Sequence, residues 1–419
     1  MTGRTRVAAA ALVAGVALAG CVGGDDPGPA VMTVSAAAAP MDEPVAVRLT
    51  GLGAGRRATV TATTTDFAGT RWSAAAVYQA DDYGSLDLGA APVSGAYRGA
   101  DPMGLFEFMT PDGGVATGFS PAPDRKSYDV RLTATVDGRP VAAATATRLL
   151  PAGLGVTDRR LSVARDGVAG VLYRPKDTSA RKPAVLVFGG SEGGLNPVIA
   201  LQAAVLAAHG YPTLALAYFH GTGLPPTLAG IPLEYFRTAL QILRTQPGVD
   251  PGHLLVTGQS YGGEASLLIA ATYPDLVHGV IAVSPNSYVD PDPDGQNRAA
   301  WSLRGRDLPR GPFAVPAAQV DPRALIPVRR IRGPIQLACG PLDGEWPACR
   351  NIDDAVARLG DRPGVTVAKY ADAGHYVGAL APYTSVTDGL LTKPGGTVAA
   401  TLAANVDLHR RVLALLAAQ

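Results

Sequence analysis

The sequence predicts an α/β fold with a largely parallel sheet, preceded by a small immunoglobulin-like β-sandwich. Three observations carry this reading. Between residues 43 and 148 short β-like runs follow one another, separated by turn residues and without helical periodicity. From about residue 156 onward, apolar runs alternate with Ala- and Leu-rich stretches of helical length, the pattern of repeated strand–helix units. Within that second region Gly258-Gln259-Ser260-Tyr261-Gly262 stands between a short apolar run, residues 253–257, and a helical run, residues 264–270. A serine on so tight a strand-to-helix turn is held in a strained conformation above the sheet, and glycines two residues either side leave room for it. That setting makes the stretch a nucleophile elbow and narrows the second domain, residues 156–419, to an α/β-hydrolase.

A chain of 419 residues exceeds one average domain, so two are expected. With 47% hydrophobic and 17% charged residues it has ample material for a core. A net charge of +1 and the lack of any Lys/Arg cluster argue against nucleic acid as a partner. The three cysteines and six histidines never fall at zinc-finger or H-E-x-x-H spacing, and no P-loop or dinucleotide-binding glycine motif stands in its required setting. Neither a metal nor a cofactor is expected.

The first 20 residues read as a targeting segment. Arg4 and Arg6 form a positive start, and residues 7–19 an apolar stretch too short for a permanent membrane span. Leu18-Ala19-Gly20-Cys21 resembles a bacterial lipobox, which implies export, lipidation of Cys21 and anchoring on the extracytoplasmic side of the cell membrane. An ordinary secretory signal with an incidental Cys21 is the alternative; both lead out of the cytoplasm. Residues 21–40, rich in Gly, Pro and Ala, read as a flexible tether.

The sandwich is expected over residues 41–150. Residues 45–49 alternate, residues 58–64 are β-branched at period two, and residues 72–78, 128–136 and 140–148 continue the pattern. Several stretches here, Gly69-Thr70-Arg71-Trp72-Ser73, Gly84-Ser85-Leu86-Asp87-Leu88 and Asp101-Pro102-Met103-Gly104-Leu105-Phe106, resemble the N-terminal domain of the family of acyl-CoA thioesterases and bile acid-CoA:amino acid N-acyltransferase. After a linker at residues 149–155 the resemblance continues through Gly193-Gly194-Leu195, Leu216-Ala217-Tyr218-Phe219, Leu233-Glu234-Tyr235-Phe236, Trp346-Pro347 and Ala373-Gly374-His375. It covers nearly all of the chain beyond the leader and implies the same order, sandwich and then hydrolase domain.

The triad follows from chain order. In this fold the acid and then the histidine come after the serine. His209, His220 and His253 precede Ser260; His278 has no strand-end acid between it and Ser260; His409 falls in the C-terminal helix. His375, in a Gly-containing loop after the run 365–370, remains. Asp343 is the first carboxylate after the strand-like run 335–339, whereas Asp372 is too near His375 along the chain to reach its Nδ1. A serine hydroxyl is a poor nucleophile near neutral pH, so His375 would take its proton while Asp343 fixes the imidazole tautomer. The oxyanion needs two N–H donors: that of Tyr261 and one from the loop after the run 184–188, where Gly190 and Ser191 both qualify.

The resemblance implies an acyl-CoA thioester cleaved through an acyl-serine. The family's transferases use a cysteine nucleophile, so Ser260 favours hydrolysis. Export favours a second reading, an extracytoplasmic ester hydrolase or acyltransferase using a non-CoA acyl donor. A binding module with a dead site is the third, and the complete set of catalytic residue types speaks against it. Specificity is expected in the insertion at residues 286–323, which holds Trp301, and, from the family's layout, in residues 103–106. Lipidation of Cys21 would leave Cys339 and Cys349 as one pair in an oxidising compartment, so a disulfide closing a loop around Asp343 is expected.

Overall fold

The computed structural model describes residues 16–17, 29–114, 116, 118–122, 125–295, 297–378, 380–391 and 393–419. Most of the leader, with Cys21, lies outside the described residues. Among the described residues, those up to Leu150, apart from Arg125 and Lys126, form one compact unit, and the second begins at Pro151.

In the first unit Arg57–Thr65 pairs antiparallel with Arg71–Gln79 on one side and Ser127–Val136 on the other, and Arg139–Leu149 extends that sheet. Val31–Val34, Val47–Thr50 and Leu86–Asp87 form a second small sheet. Burial alternates along Arg57–Thr65 and Arg71–Gln79, as a period-two pattern with one covered face requires. The structure corrects the expected tether. Val31–Val34 and Ala38–Pro40 are strands, with Met32 and Val34 buried. Composition pointed to a loose segment because the two strands are short and lie among Ala and Pro. Met103, Leu105 and Phe106 are likewise core residues of this unit and not a specificity surface.

The second unit opens with a 3₁₀ turn, Pro151–Leu154, inside the expected linker. Its elements are β1 (Thr157–Leu161), β2 (Ala169–Arg174), β3 (Lys182–Phe188), α1 (Pro197–Ala208), β4 (Thr213–Ala217), α2 (Leu233–Arg244), β5 (Val249–Gln259), α3 (Tyr261–Thr272), β6 (Gly279–Val283), β7 (Ile335–Cys339), α4 (Ala348–Leu359), β8 (Val365–Lys369) and α5 (Val398–Ala417). The sheet order is 1-2-4-3-5-6-7-8. β1 and β2, and β2 and β4, pair antiparallel; every later pair is parallel. This is the α/β-hydrolase sheet. β1 left little trace in the sequence because it is an edge strand whose side chains are exposed except for Leu161.

The interior strands are apolar at nearly every position because helices cover both faces. Ala184, Leu186, Val256, Ala282 and Leu337 pack with α2, α3 and α4, whereas Val185, Val187, Leu255, Ile281 and Ala338 pack with α1 and α5. Alternate residues of one strand thus serve two cores. α1 starts where its sequence says it should: the Asn196 side chain accepts the Val198 N–H and Pro197 occupies the first turn. Among the described residues no helix is long and apolar enough to cross a membrane.

Residues 286–323 form most of the connection from β6 to β7, with short turns and, among the described residues, two small paired strands, Trp301–Leu303 and Arg306–Asp307. Trp301 is fully buried, its Nε1–H donating to Glu264 Oε1 at 2.6 Å, so it is a packing residue and not a substrate contact. The aromatic of this insertion that stays exposed is Phe313.

Candidate active site

Ser260 sits between β5 and α3 with φ 59° and ψ −127°, a left-handed backbone that a side chain adopts only when its surroundings force it. The flanking glycines make room for it. A Cβ on Gly258 would come within 2.5 Å of the Gly262 backbone, and one on Gly262 within 2.3 Å of Gly189 O. Ser260 N–H donates to Val283 O at 2.9 Å, which ties the elbow to β6.

Asp343 and His375 are brought together from the loops after β7 and β8. His375 Nδ1 lies 2.8 Å from Asp343 Oδ2, and the side chains are 5% and 2% exposed. An ionised carboxylate only accepts, so Nδ1 carries the proton and Nε2 keeps its lone pair for a hydroxyl. The other oxygen, Oδ1, accepts the N–H groups of Glu345 at 2.9 Å and Trp346 at 3.2 Å, fixing the carboxylate's orientation. The other candidate partners are placed elsewhere. Glu345 pairs with Lys393, Asp372 is exposed, and His278 packs its ring on His253 at 4.5 Å.

Cys339 and Cys349 form a disulfide, with S–S 2.07 Å and Cα atoms 5.3 Å apart. Cys339 ends β7 and Cys349 lies in the first turn of α4, so the bridge encloses the loop that carries Asp343.

Of the oxyanion-hole candidates, Tyr261 opens α3 with its N–H in the first turn of the helix, where backbone donors have no intrahelical acceptor. Gly190 N–H donates to Glu192 Oε2 at 2.9 Å, so this group is engaged within its own loop. Ser191 is exposed in the same loop. The Tyr218 hydroxyl lies 2.9 Å from Gly189 O and 2.7 Å from Gly190 O, to donate its one proton to either. Burial, with the Glu192 carboxylate nearby, pushes the Tyr218 phenol well above its ordinary range, so it stays a neutral donor.

Several residues around the site escaped sequence reasoning. Trp346 packs edge-on against the His375 imidazole at 5.6 Å and against Tyr261 at 5.3 Å, while Phe313 covers it from outside at 5.9 Å. Trp346 followed Asp343 by only three residues, and a Trp so close to a proposed acid was the available signal. One helical turn after Ser260, the fully buried Glu264 accepts from Trp301 Nε1–H and from Asp290 N–H at 3.1 Å. Asp290 is also fully buried and accepts from Asn286 Nδ2 at 2.8 Å, while Glu264 Oε2 and Asp290 Oδ1 have no hydrogen-bond partner among the described residues. Burial raises both carboxyl groups, and the charge of Asp290 raises Glu264 further, so each takes a proton more readily than a free carboxyl does.

The family model described as the acyl-CoA thioester hydrolase/BAAT N-terminal region matches residues 42–161, and that of the BAAT/acyl-CoA thioester hydrolase C terminal matches residues 231–393. Over 365 residues the chain is 29% identical to acyl-coenzyme A thioesterase 6 of Mus musculus, covering 80% of this chain and 82% of that one. It is 28% identical over 409 residues to acyl-coenzyme A amino acid N-acyltransferase 2 of Rattus norvegicus, covering 88% and 93%. A hyperthermophilic esterase from the archaeon Pyrobaculum calidifontis matches 62% of this chain and 85% of its own, at 17% identity and a TM-score of 0.42.

Proposed function

The chain belongs to the acyl-CoA thioester hydrolase/BAAT family, and from that premise we propose that it is a serine acyl hydrolase that cleaves an acyl-CoA thioester through an acyl-serine. The observation that carries this is the strained Ser260 at the end of β5 together with the buried Asp343–His375 pair. Ser260 Oγ attacks the thioester carbonyl while His375 Nε2 takes its proton, and Asp343 stabilises the imidazolium that results. The tetrahedral oxyanion is held by Tyr261 N–H and by one N–H of the loop after β3. As the C–S bond breaks, His375 returns the proton to the leaving thiolate. Water activated by the same imidazole then releases the acid.

Hydrolysis is proposed over transfer because the nucleophile is serine, where the family's transferases have cysteine. The lipobox-like run ending at Cys21 supports a second proposal, that the protein is exported and anchored by its lipidated Cys21, where an ester or another acyl donor would replace CoA. The disulfide is in keeping with an oxidising compartment. An activity profile across acyl-CoAs and oxygen esters of graded chain length separates the two substrate readings. Metabolic labelling with palmitate, lost in Cys21→Ala, tests the anchor; equal labelling of both proteins, or of neither, counts against it.

A further inference from the structure

We infer that Gln259 and Ser284 are positioning residues that hold the general base in place through its main chain. The inference rests on the catalytic assignment proposed above. His375 lies in the loop beyond β8, outside the sheet, two residues past the isolated bridge of Ala373 with Gly396. Its N–H donates to Pro394 O at 2.9 Å. Its carbonyl oxygen is met by two side chains, Gln259 Nε2 at 2.7 Å and Ser284 Oγ at 2.9 Å.

The two donors come from the places that matter most to the geometry. Gln259 is the last residue of β5 and the neighbour of Ser260, so its amide links the imidazole loop directly to the nucleophile's strand. Ser284 follows β6, which holds Ser260 N–H through Val283 O. Ser284 is itself a junction. Its N–H donates to Ala338 O of β7 at 2.7 Å, and its carbonyl accepts Trp346 Nε1–H at 3.0 Å. Trp346 in turn lies against the imidazole and donates its backbone N–H to Asp343 Oδ1. Nucleophile, acid and base are thus joined by a closed set of short contacts. Ser284 is fully buried at φ 44°, a conformation disfavoured for a residue with a Cβ, and its hydroxyl is the group that uses it.

A carbonyl oxygen has two lone pairs, and here each has a donor. Losing one donor leaves the oxygen satisfied; losing both leaves a buried acceptor orphaned. Removing the two together should therefore cost more than the product of the single losses.

The test uses the full chain and a fluorophosphonate probe, so it does not depend on which thioester is the natural substrate. The inactivation rate constant and the half-saturating probe concentration are measured for the wild type, Gln259→Met, Ser284→Ala and the double variant, each checked for a cooperative melt. Each single variant should slow inactivation about three- to tenfold with half-saturation within about twofold, and the double variant should exceed the product. Near-isosteric Ser284→Cys, which offers only a weak S–H donor, should label as slowly as Ser284→Ala. Unchanged rates in folded variants, or losses confined to half-saturation, would overturn the inference. Should the Ser284 variants not fold, the half-buried Gln259 decides it: Gln259→Met and Gln259→Ala labelling at the wild-type rate would be contrary. A wild type modified elsewhere than Ser260 would overturn the catalytic assignment itself, and this inference with it.

Discussion

Asp343 Oδ2 lies 2.8 Å from His375 Nδ1, and both side chains are shut off almost wholly from solvent. The partner atom Oδ1 is held by two backbone N–H groups, so the carboxylate cannot rotate away without leaving donors unpaired. Asp343→Asn would keep Oδ1 on those N–H groups and turn an NH₂ toward Nδ1. The imidazole would then carry its proton on Nε2, the wrong tautomer for a base. We expect turnover to fall by roughly 10³–10⁴-fold in Asp343→Asn. Ser260→Ala and His375→Ala should each lose at least as much, and their double variant little more. Steady-state kinetics of the four proteins checks this, and multiplicative losses would count against a shared mechanism.

The disulfide predicts a link between redox state and activity. A bridge over so short a loop stabilises by roughly 2–3 kcal/mol in the chain-entropy account. Cys339→Ala/Cys349→Ala should melt lower and turn over more slowly, because the loop bearing Asp343 is freed at one end. Native protein should take up alkylating reagent at Cys339 and Cys349 only after reductant. Alkylation without reductant would rule the bridge out.

The Glu264–Asp290 pair predicts a pH-dependent stability. Both carboxyl groups are raised, Asp290 up to about 7, by burial before anything else. A raised acid adds stability that is fully present below its unfolded pKa, about 4 for these groups, and is lost as pH rises through the folded value. Stability should thus decline as pH rises from about 4 through neutrality. Glu264→Gln keeps a neutral donor toward Asp290 without a proton to lose, so its melting temperature should fall less across pH 6–9. Parallel curves for the two proteins would contradict a stability contribution from the raised Glu264 carboxyl. The consequence for activity is local, since Glu264 is one turn from Ser260 and the Tyr261 hydroxyl donates to Pro291 O at 3.0 Å.

Water as the acceptor predicts that glycine or taurine neither speeds acyl release nor yields an amide. Mass spectrometry of the products checks this. An N-acyl product formed at the rate of substrate loss would move the protein to the family's transferase branch.

Much of the site was legible because its parts obey local rules. Ser260 announced itself through Gly258, Gly262 and the change of periodicity around them, and Asp343 and His375 through their places after apolar runs. What stayed hidden depends on contacts between distant segments. Nothing in the chain joins Gln259 to residue 375, or Glu264 to residue 290, until the sheet is assembled. The same limit explains Trp301: it stands in an insertion expected to set specificity, but a buried carboxylate from α3 takes its N–H. Val31–Val34 was missed for the opposite reason. Its alternation shows only in burial, and four residues between Pro- and Ala-rich flanks do not outweigh composition.

The central claim is that Ser260 cleaves an acyl-CoA thioester. The most direct measurement follows release of CoA and free acid from acyl-CoAs of graded length by wild type and Ser260→Ala, with the quenched wild-type protein mapped by mass. The account predicts CoA and acid in equal amounts, an acyl adduct on Ser260, and loss of turnover in Ser260→Ala. Wild-type protein that cleaves oxygen esters but no acyl-CoA, or a Ser260→Ala variant that still releases CoA, would contradict it.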